Sequence, residues 1–248
     1  MTSATQQRKV LIWDIPVRLV HWLLVLSFAG AWLTAESERW RQVHTTFGYT
    51  MAGLVVFRLL WGLVGPKHAR FHNFVRGPSA VLAYLKSLRT RAPQHFIGHN
   101  PAGALAIVGL LTLILITAAT GWANQGEVGG RWVEEAHELA AHALLLLVGV
   151  HLAGVLVSSV LHRENLVRSM LTGRKQVADS DAQDVAIPGG RAILGAAVLA
   201  AVLSFWIWQW YSPAVTDSDS NSVGTAAATT AASASVARGA KRGHHDNH

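Results

Sequence analysis

Five apolar runs constrain the fold of this chain more than any other feature of its sequence. Each run reaches or approaches the roughly 20 residues that an α-helix needs to cross a bilayer. Only 14% of the residues are charged and 51% are hydrophobic, whereas a soluble domain has about a quarter charged residues. The sequence therefore predicts an all-α integral membrane protein with five transmembrane helices. The predicted spans cover residues 17–35, 44–64, 102–122, 137–161 and 192–210.

Basic residues are distributed unevenly between the loops that join these runs. Residues 65–100 contain six lysines and arginines and no acidic residue, and four more basic residues follow the fourth run. The other two loops, residues 36–43 and 123–136, contain three arginines among five glutamates. Because basic loops stay in the cytoplasm, the N-terminus is expected inside and the C-terminus outside. The net charge of +7 largely reflects this pattern, so no nucleic-acid partner is expected.

Four of the five histidines within the apolar runs lie at matched depths, where ionisable side chains are rare and usually functional. His137 and His151 are fourteen residues apart on the fourth run. They therefore lie about 40° apart around one helix and roughly 21 Å apart along it. His21 is expected at the depth of His151, toward the cytoplasm, and His44 at the depth of His137, toward the outside. Depth thus predicts two pairs, His21 with His151 and His44 with His137.

Each predicted pair is suited to bind the two axial positions of a haem iron through neutral imidazole nitrogens. Such an iron has no open position for a substrate, so two haems stacked across the bilayer would transfer electrons. Zinc fits less well, because it usually takes four ligands, often including thiolates, and each depth offers a pair of histidines and no cysteine. The chain has no cysteine, which excludes disulfides, thiolate-bound iron–sulfur clusters and covalent c-type haem attachment.

Three further residues are candidates for cofactor binding at these sites. Gly48, one turn deeper than His44 on the same face, either leaves room for a flat porphyrin or lets two helices pack closely. Arg58, fourteen residues beyond His44, is expected to pair with a propionate of the inner haem rather than extend to lipid headgroups. Arg18, one turn before His21, could do either of these.

The other histidines are not expected to bind iron. His142 lies about 140° from the ligand face of its helix. The histidines in or beside the basic loops are expected to be solvated or interfacial, and His99 is also placed to help shuttle protons. These loop histidines are His68, His72, His95, His99 and His162.

Outside the spans, the sequence predicts one short helix and two segments without fixed structure. Residues 77–89 carry an apolar stripe that indicates a helix on the inner membrane surface. Residues 176–190 contain three aspartates and end in Pro-Gly-Gly, which predicts a linker. Residues 212–248 are too poor in large apolar side chains to form a core, so a disordered outer tail is expected. The predicted division is a four-helix domain (1–175), the linker, a fifth helix (191–211) and the tail.

Six segments of the sequence resemble the bacterial cytochrome b561 family, within the larger group that includes the b-type subunits of nickel–iron hydrogenases. The resemblance covers roughly residues 10–175 and depends on the order of the segments and on the four histidine positions. The segments are WDIPVRLVHW at 13–22, VHTTFGY at 43–49, FRLLWG at 57–62, GHNPAG at 98–103, the His137/His151 span and HRENLVRSMLTGRK at 162–175.

The resemblance implies a four-helix transmembrane bundle that holds two b haems in the inner membrane of a bacterium. It also implies electron exchange between the quinone pool and a redox partner, often a periplasmic one, and it assigns the iron-ligand roles to His21, His44, His137 and His151. The fifth span and the tail depart from smaller members of the family, which end after four helices. The role of this C-terminal part is left open.

Three functions are compatible with the sequence. The favoured one is a dihaem electron carrier between quinol and a periplasmic acceptor such as a c-type cytochrome, with quinol oxidation as the associated activity. The second is the membrane anchor of a hydrogenase-like complex, which would pass electrons from an outer iron–sulfur subunit to quinone. The third is a cofactor-free transporter that uses intramembrane histidines for protons or divalent metals. Helices broken near the midplane would favour a transporter, and the sequence has no convincing break.

Overall fold

The structure, a computed structural model, describes residues 7–88, 96, 98–179, 182–187 and 189–211. The chain divides into two compact units, Met1–Ser204 and Phe205–His248. The elements in chain order are β1 (Gln7–Leu11), α1 (Ile15–Thr34), a 3-10 turn (Glu38–Trp40), α2 (Arg41–Val64), α3 (Phe71–Phe74), α4 (Pro78–Ser87), α5 (Pro101–Gln125), α6 (Arg131–Leu161), α7 (Leu166–Thr172), β2 (Arg174–Ala178), α8 (Ala182–Val185) and α9 (Ala192–Tyr211).

Among the described residues, five helices are long and apolar enough to cross a membrane, which confirms the five predicted spans. Polar caps mark where two of them begin. The Asp14 carboxylate accepts a hydrogen bond from the Val17 backbone N–H at the start of α1. The Asn100 side chain accepts one from the Gly103 N–H at the start of α5. Each cap is followed by a proline in the first turn, where its fixed φ suits a helix and its missing N–H is not needed.

The first four spans share one buried core. Helix α1 packs on α2, α2 on α5, and α5 on α6. Large apolar side chains remain on the outside of these helices, with Leu33 82% and Val160 80% exposed. Such a surface is unfavourable in water and suits contact with lipid tails. The buried residues of this core are Ala31, Met51, Val55, Leu111, Ile114 and Leu144.

A second core lies at one end of these helices, where the sequence predicted a linker. Strand β1 pairs antiparallel with β2, with Gln7 opposite Ala178 and Leu11 opposite Arg174. The expectation of an unstructured segment from residue 176 onward is therefore wrong for the end of β2 and for α8. Alternate burial along β2 explains the difference, because Val177 enters the core while its neighbours face outward. The other buried members of this second core are Val10, Ile12, Trp13, Val17, Ala69 and Ala182.

The two cores define names for the two ends of the helices. We call the end that carries β1, β2 and residues 65–77 the strand end. We call the opposite end, formed by residues 35–43 and 126–130, the turn end. Helix α4 confirms a helix within residues 77–88, although Arg89 lies outside the described residues. The predicted tail, 212–248, also lies outside them.

The second unit is described only over residues 205–211, the C-terminal end of α9. This short stretch is rich in aromatic side chains. The rings of Phe205 and Trp208 lie 6.1 Å apart between centres, and Trp208 is 62% exposed. Exposed aromatic rings near the end of a span are typical of the boundary between lipid and water.

Candidate metal-binding histidine pairs

His44 on α2 and His137 on α6 face each other at the turn end. Their ring centres are 6.3 Å apart and the ring planes are inclined by 75°. Two imidazoles that bind one metal from opposite sides, through bonds of about 2 Å, have ring centres roughly 6 Å apart. The spacing of this pair therefore fits two axial ligands of a single metal.

The hydrogen bonds of these two rings favour the same role. His44 Nδ1 lies 2.8 Å from the carbonyl oxygen of Ala31, and His137 Nδ1 lies 2.9 Å from that of Thr117. A carbonyl oxygen can only accept, so each Nδ1 carries the proton and donates it. The proton-free Nε2 of each ring then has its lone pair available for a metal, as in most metal-bound histidines.

Two glycines provide space around this pair. A Cβ atom at Gly121, on α5, would lie 2.9 Å from His137 Cε1, so the glycine makes room for the imidazole. A Cβ atom at Gly48 would meet no described atom within 4 Å, although Gly48 is only partly exposed. Close packing of two helices would place atoms there. No close helix packing is therefore seen at Gly48, and its contact with a porphyrin stays a prediction. Gly121 was not singled out from the sequence, because nothing local links it to His137.

The second predicted pair, His21 on α1 and His151 on α6, comes together toward the strand end. The two side chains are close enough to interact electrostatically. His21 Nδ1 is buried and has no hydrogen-bond partner among the described residues. Burying a polar atom without a partner costs about 1–3 kcal/mol. An unpartnered buried ring nitrogen is a site at which a bond to a metal would supply the missing interaction.

The two candidate arginines both contact backbone carbonyls at the strand end. Arg58 is only 7% exposed. Its Nη1 donates to the carbonyl of Ala69 at 3.1 Å, and its guanidinium lies 4.8 Å from the centre of the Phe71 ring. Arg18 Nη1 donates to the carbonyl of Thr172, also at 3.1 Å, which ties α1 to the end of α7. The pairing of either arginine with a propionate stays a prediction.

His142, which was excluded as a ligand, is exposed on α6. Its Nδ1 lies 2.9 Å from the carbonyl of Glu138 on the same helix, and its ring meets the edge of Trp32 at 5.7 Å. Among the described residues, no group of three or more His, Asp or Glu side chains is placed to hold a metal ion. The histidine pairs are therefore the metal-ligand candidates that the structure offers.

Of the two expectations for the loop histidines, solvated or interfacial, the solvated one is wrong for His99 and His68, which are half-buried at the strand end. The His99 ring packs against Trp13 at 4.6 Å and Phe74 at 4.4 Å, and its burial lowers its pKa to about 3. His68 Nε2 donates to the carbonyl of Val185 at 2.8 Å, and burial lowers its pKa as well. The basic loop composition hid the second core that surrounds them. His72 is exposed, and His95 lies outside the described residues.

Asp14 organises the start of α1 at the strand end, and it is not among the site residues expected from the sequence. Its side chain is fully buried. One carboxylate oxygen caps α1, and the other accepts from Trp61 Nε1 at 3.0 Å and lies 3.7 Å from Arg191 Nη1. Burial raises the pKa of Asp14, while these donors oppose that shift. The motif Asp-Ile-Pro is a helix-start signal that could have identified the cap, but not the two distant partners.

Known proteins resemble this chain over most of its membrane part. Residues 12–173 match the family described as prokaryotic cytochrome b561. Three similar proteins are each named probable Ni/Fe-hydrogenase B-type cytochrome subunit. The one from Rhizobium leguminosarum bv. viciae is 24% identical, over 72% of this chain and 94% of its own. The one from Bradyrhizobium diazoefficiens is 25% identical, over 68% and 87%. The one from Azotobacter vinelandii is 27% identical, over 70% and 91%. No solved structure matches the chain.

Proposed function

Because this chain belongs to the prokaryotic cytochrome b561 family, we propose that it is a dihaem electron carrier between the quinone pool and a periplasmic redox partner. The match confirms the family resemblance found in the sequence, and with it a multi-pass membrane protein of the b-type cytochrome class, whose members bind b-type haem. The number of haems, the quinone and the partner belong to the proposal.

The His44/His137 pair is the observation that carries the proposal. Two rings at a suitable spacing, each with its Nδ1 proton donated to a helix carbonyl, form a ligand set that is oriented before the cofactor binds. We assign the second haem to His21 and His151, whose side chains lie close to each other at the other depth. Haem iron held by two histidines transfers single electrons.

The protein's own contribution is to hold these ligands and to keep water away from them. The carbonyls of Ala31 and Thr117 fix the ring orientations at the turn end. At the strand end, the second core supplies apolar side chains beyond the level of His21. Arg58 is proposed to compensate the negative charge of a propionate, since it is the buried cation on α2 at this end. Arg18 is assigned a structural role, because it donates to the carbonyl of Thr172 at the end of α7. Any pairing of Arg18 with a propionate would be in addition to this contact.

We place the strand end on the cytoplasmic side of a bacterial inner membrane. The support is the charge of the loops. The six basic residues of 65–100 lie between α2 and α5, at the strand end, whereas the five glutamates of residues 36–43 and 123–136 lie at or near the turn end. With five spans, residues beyond Tyr211 are then periplasmic. The turn-end pair faces the periplasm in this orientation, where it could exchange electrons with a c-type cytochrome.

A hydrogenase-type membrane anchor is the second candidate function. The names of the similar proteins favour it, since each is described as a probable Ni/Fe-hydrogenase B-type cytochrome subunit. The haem ligands and the quinone would be the same in this role. The periplasmic partner would then be an iron–sulfur subunit in place of a soluble cytochrome.

A pyridine-haemochrome assay against protein concentration tests the proposal. We expect about two b haems per chain, one for each histidine pair. A ratio near one in fully loaded protein would refute one of the pairs, and protein without haem would favour the transporter. Co-purification from the native membrane then separates the two electron-transfer roles by whether a hydrogenase subunit or a c-type cytochrome is retained.

A further inference from the structure

A groove lies at the strand end where α6 meets α7, away from both histidine pairs. It has a volume of about 540 Å³. Its apolar wall is formed by the last turns of α6 and by α7, and its polar lining includes two arginines. The residues that define this groove are Leu156, Val160, Arg163, Val167, Arg168 and Leu171.

The apolar wall of the groove continues the lipid-facing surface of the span. Leu156 and Val160 belong to α6 and are 64% and 80% exposed. Val167 and Leu171 belong to α7 and are 46% and 55% exposed. Since α6 ends at Leu161, this surface lies where the hydrocarbon region meets the headgroups.

The charge of the groove is positive. Arg163 and Arg168 are exposed, and within the described part of the chain no carboxylate is placed to form an ion pair with either guanidinium. Glu164 also lines the groove, but its carboxylate pairs with the buried Lys175 Nζ at 3.1 Å. The negative charge of Glu164 is thereby compensated by Lys175. The two arginines therefore make the electrostatic potential at the mouth of the groove positive.

The backbone at Arg163 adds an independent observation. The Glu164 N–H donates to the Ser159 carbonyl at 3.0 Å and the Arg163 N–H donates to the Val160 carbonyl at 3.3 Å. This is the Schellman arrangement that ends many helices, and its left-handed position favours glycine. Arginine occupies that position here, with φ of 50°. The chain therefore has an arginine at the groove although glycine would be more favourable at this backbone conformation.

We propose that this groove binds an anionic phospholipid, with the phosphate between Arg163 and Arg168 and the acyl chains along the apolar wall. Clusters of basic side chains at the membrane surface attract anionic lipids, and each contributes roughly a fivefold gain in affinity. A zwitterionic lipid would gain less, because its cationic group would lie in the same positive field. The groove thus anchors the junction of α6 and α7 in the leaflet at the strand end.

The test compares an anionic lipid with a zwitterionic lipid that has the same acyl chains and the same phosphate group. Purified full-length protein in neutral detergent is titrated with dioleoyl-phosphatidylglycerol or dioleoyl-phosphatidylcholine, and bound lipid is counted by native mass spectrometry. We expect the anionic lipid to be preferred. Equal retention of the two lipids would overturn the proposal.

Three variants locate the site. The double variant Arg163→Gly/Arg168→Gln should bind phosphatidylglycerol roughly 25-fold more weakly. Arg174→Gln removes an exposed charge at the same end but outside the groove, and it should bind like the wild type. Arg163→Gly alone should lose about fivefold without loss of thermal stability, because glycine suits the left-handed position. A double variant that binds as tightly as Arg174→Gln would refute the assignment.

A final arm separates a lipid site from a site for any small anion. Glycerol 1-phosphate carries the phosphate group without acyl chains. We expect it to leave the bound phosphatidylglycerol in place, because it cannot use the apolar wall. If it displaced the lipid at equal concentration, the groove would be a phosphate site and the proposed occupant would be wrong.

Discussion

The turn end and the strand end hold their histidine pairs in different ways. At the turn end, both rings donate to backbone carbonyls of neighbouring helices, at 2.8 and 2.9 Å. At the strand end, His21 Nδ1 has no partner in the described part of the chain, and a second core with its own strand pair lies at the same end. Backbone hydrogen bonds thus orient both rings of the turn-end pair but not His21. Because the two pairs lie at opposite ends, substitutions at one end should leave the other largely intact.

The largest expected effect comes from removing one member of a pair. His151→Ala should abolish the haem shared with His21 and leave the spectrum of the other haem largely intact. His137→Ala should do the reverse, because His44 then has no second ligand opposite it. Haem-resolved absorption spectra of the reduced and oxidised proteins measure both outcomes.

His142→Ala is the matched control for these two substitutions. It removes an imidazole from the same helix, but this ring is exposed and bonded to its own helix. Both haems should remain. If His142→Ala removed a haem while His137→Ala spared both, the pairing by helical phase would fail.

The second prediction concerns the strand end and the Asp14 carboxylate. Asp14→Ala removes the cap of α1 and leaves the buried Trp61 N–H without its acceptor, so we expect a loss of roughly 2–4 kcal/mol in the free energy of unfolding. The haem bound by His21 should be perturbed and the turn-end haem should not. Denaturation of the purified protein, followed by helical circular dichroism, measures the loss.

Asn100→Ala provides the comparison for Asp14. It removes the cap of α5, where the side chain accepts a single helix-start hydrogen bond from Gly103, and it should cost about 1 kcal/mol. An equal loss for the two substitutions would mean that the contacts of Asp14 with Trp61 and Arg191 contribute nothing to stability.

The sequence was sufficient for the spans and for the helical phase of the candidate ligand histidines. Apolar runs of sufficient length must form helices in lipid, because no other open structure satisfies the backbone there. The helical period then places His137 and His151 on one face. The turn-end pair followed from these two rules and from the antiparallel order of the helices.

The strand pair and the second core could not be predicted in the same way. Strand β1 is five residues long, and its partner β2 begins more than 160 residues later, so no local pattern connects them. His99 was misjudged because its burial depends on Trp13 and Phe74, which come from two other parts of the chain. Gly121 was missed for the same reason. Contacts between distant segments decide the details of both sites.

The third prediction sharpens the description of the turn end. Gly121→Ala places a methyl group 2.9 Å from His137 Cε1, so the ring must shift or the helices must separate. Overpacking of this kind costs about 1–3 kcal/mol. We expect weaker haem binding by the His44/His137 pair, or a shifted reduction potential, with the strand-end haem unchanged. A spectroelectrochemical titration resolves the two haems.

Gly149→Ala is the control for this substitution. A Cβ atom at Gly149 would meet no described atom within 4 Å, so the same methyl group should be tolerated on α6. If both alanine variants changed the turn-end haem equally, the contact between Gly121 and His137 would not be the cause.

The smallest expected effect is a pH dependence that arises at the strand end. Burial lowers the pKa of His99 to about 3, whereas an unfolded histidine titrates near 6.5. As the pH falls between these values, the unfolded chain takes up a proton that the folded chain does not, so stability decreases by up to about 1.4 kcal/mol per pH unit. His68, whose pKa is also lowered, acts in the same direction. Asp14 acts in the opposite direction, because its pKa is raised and the folded state binds its proton first.

His99→Phe keeps a ring between Trp13 and Phe74 and removes the proton site. The thermal midpoint of this variant, measured between pH 7.5 and pH 5, should therefore fall less steeply with acidification than that of the wild type, and identical slopes would show that the buried imidazole is not the source.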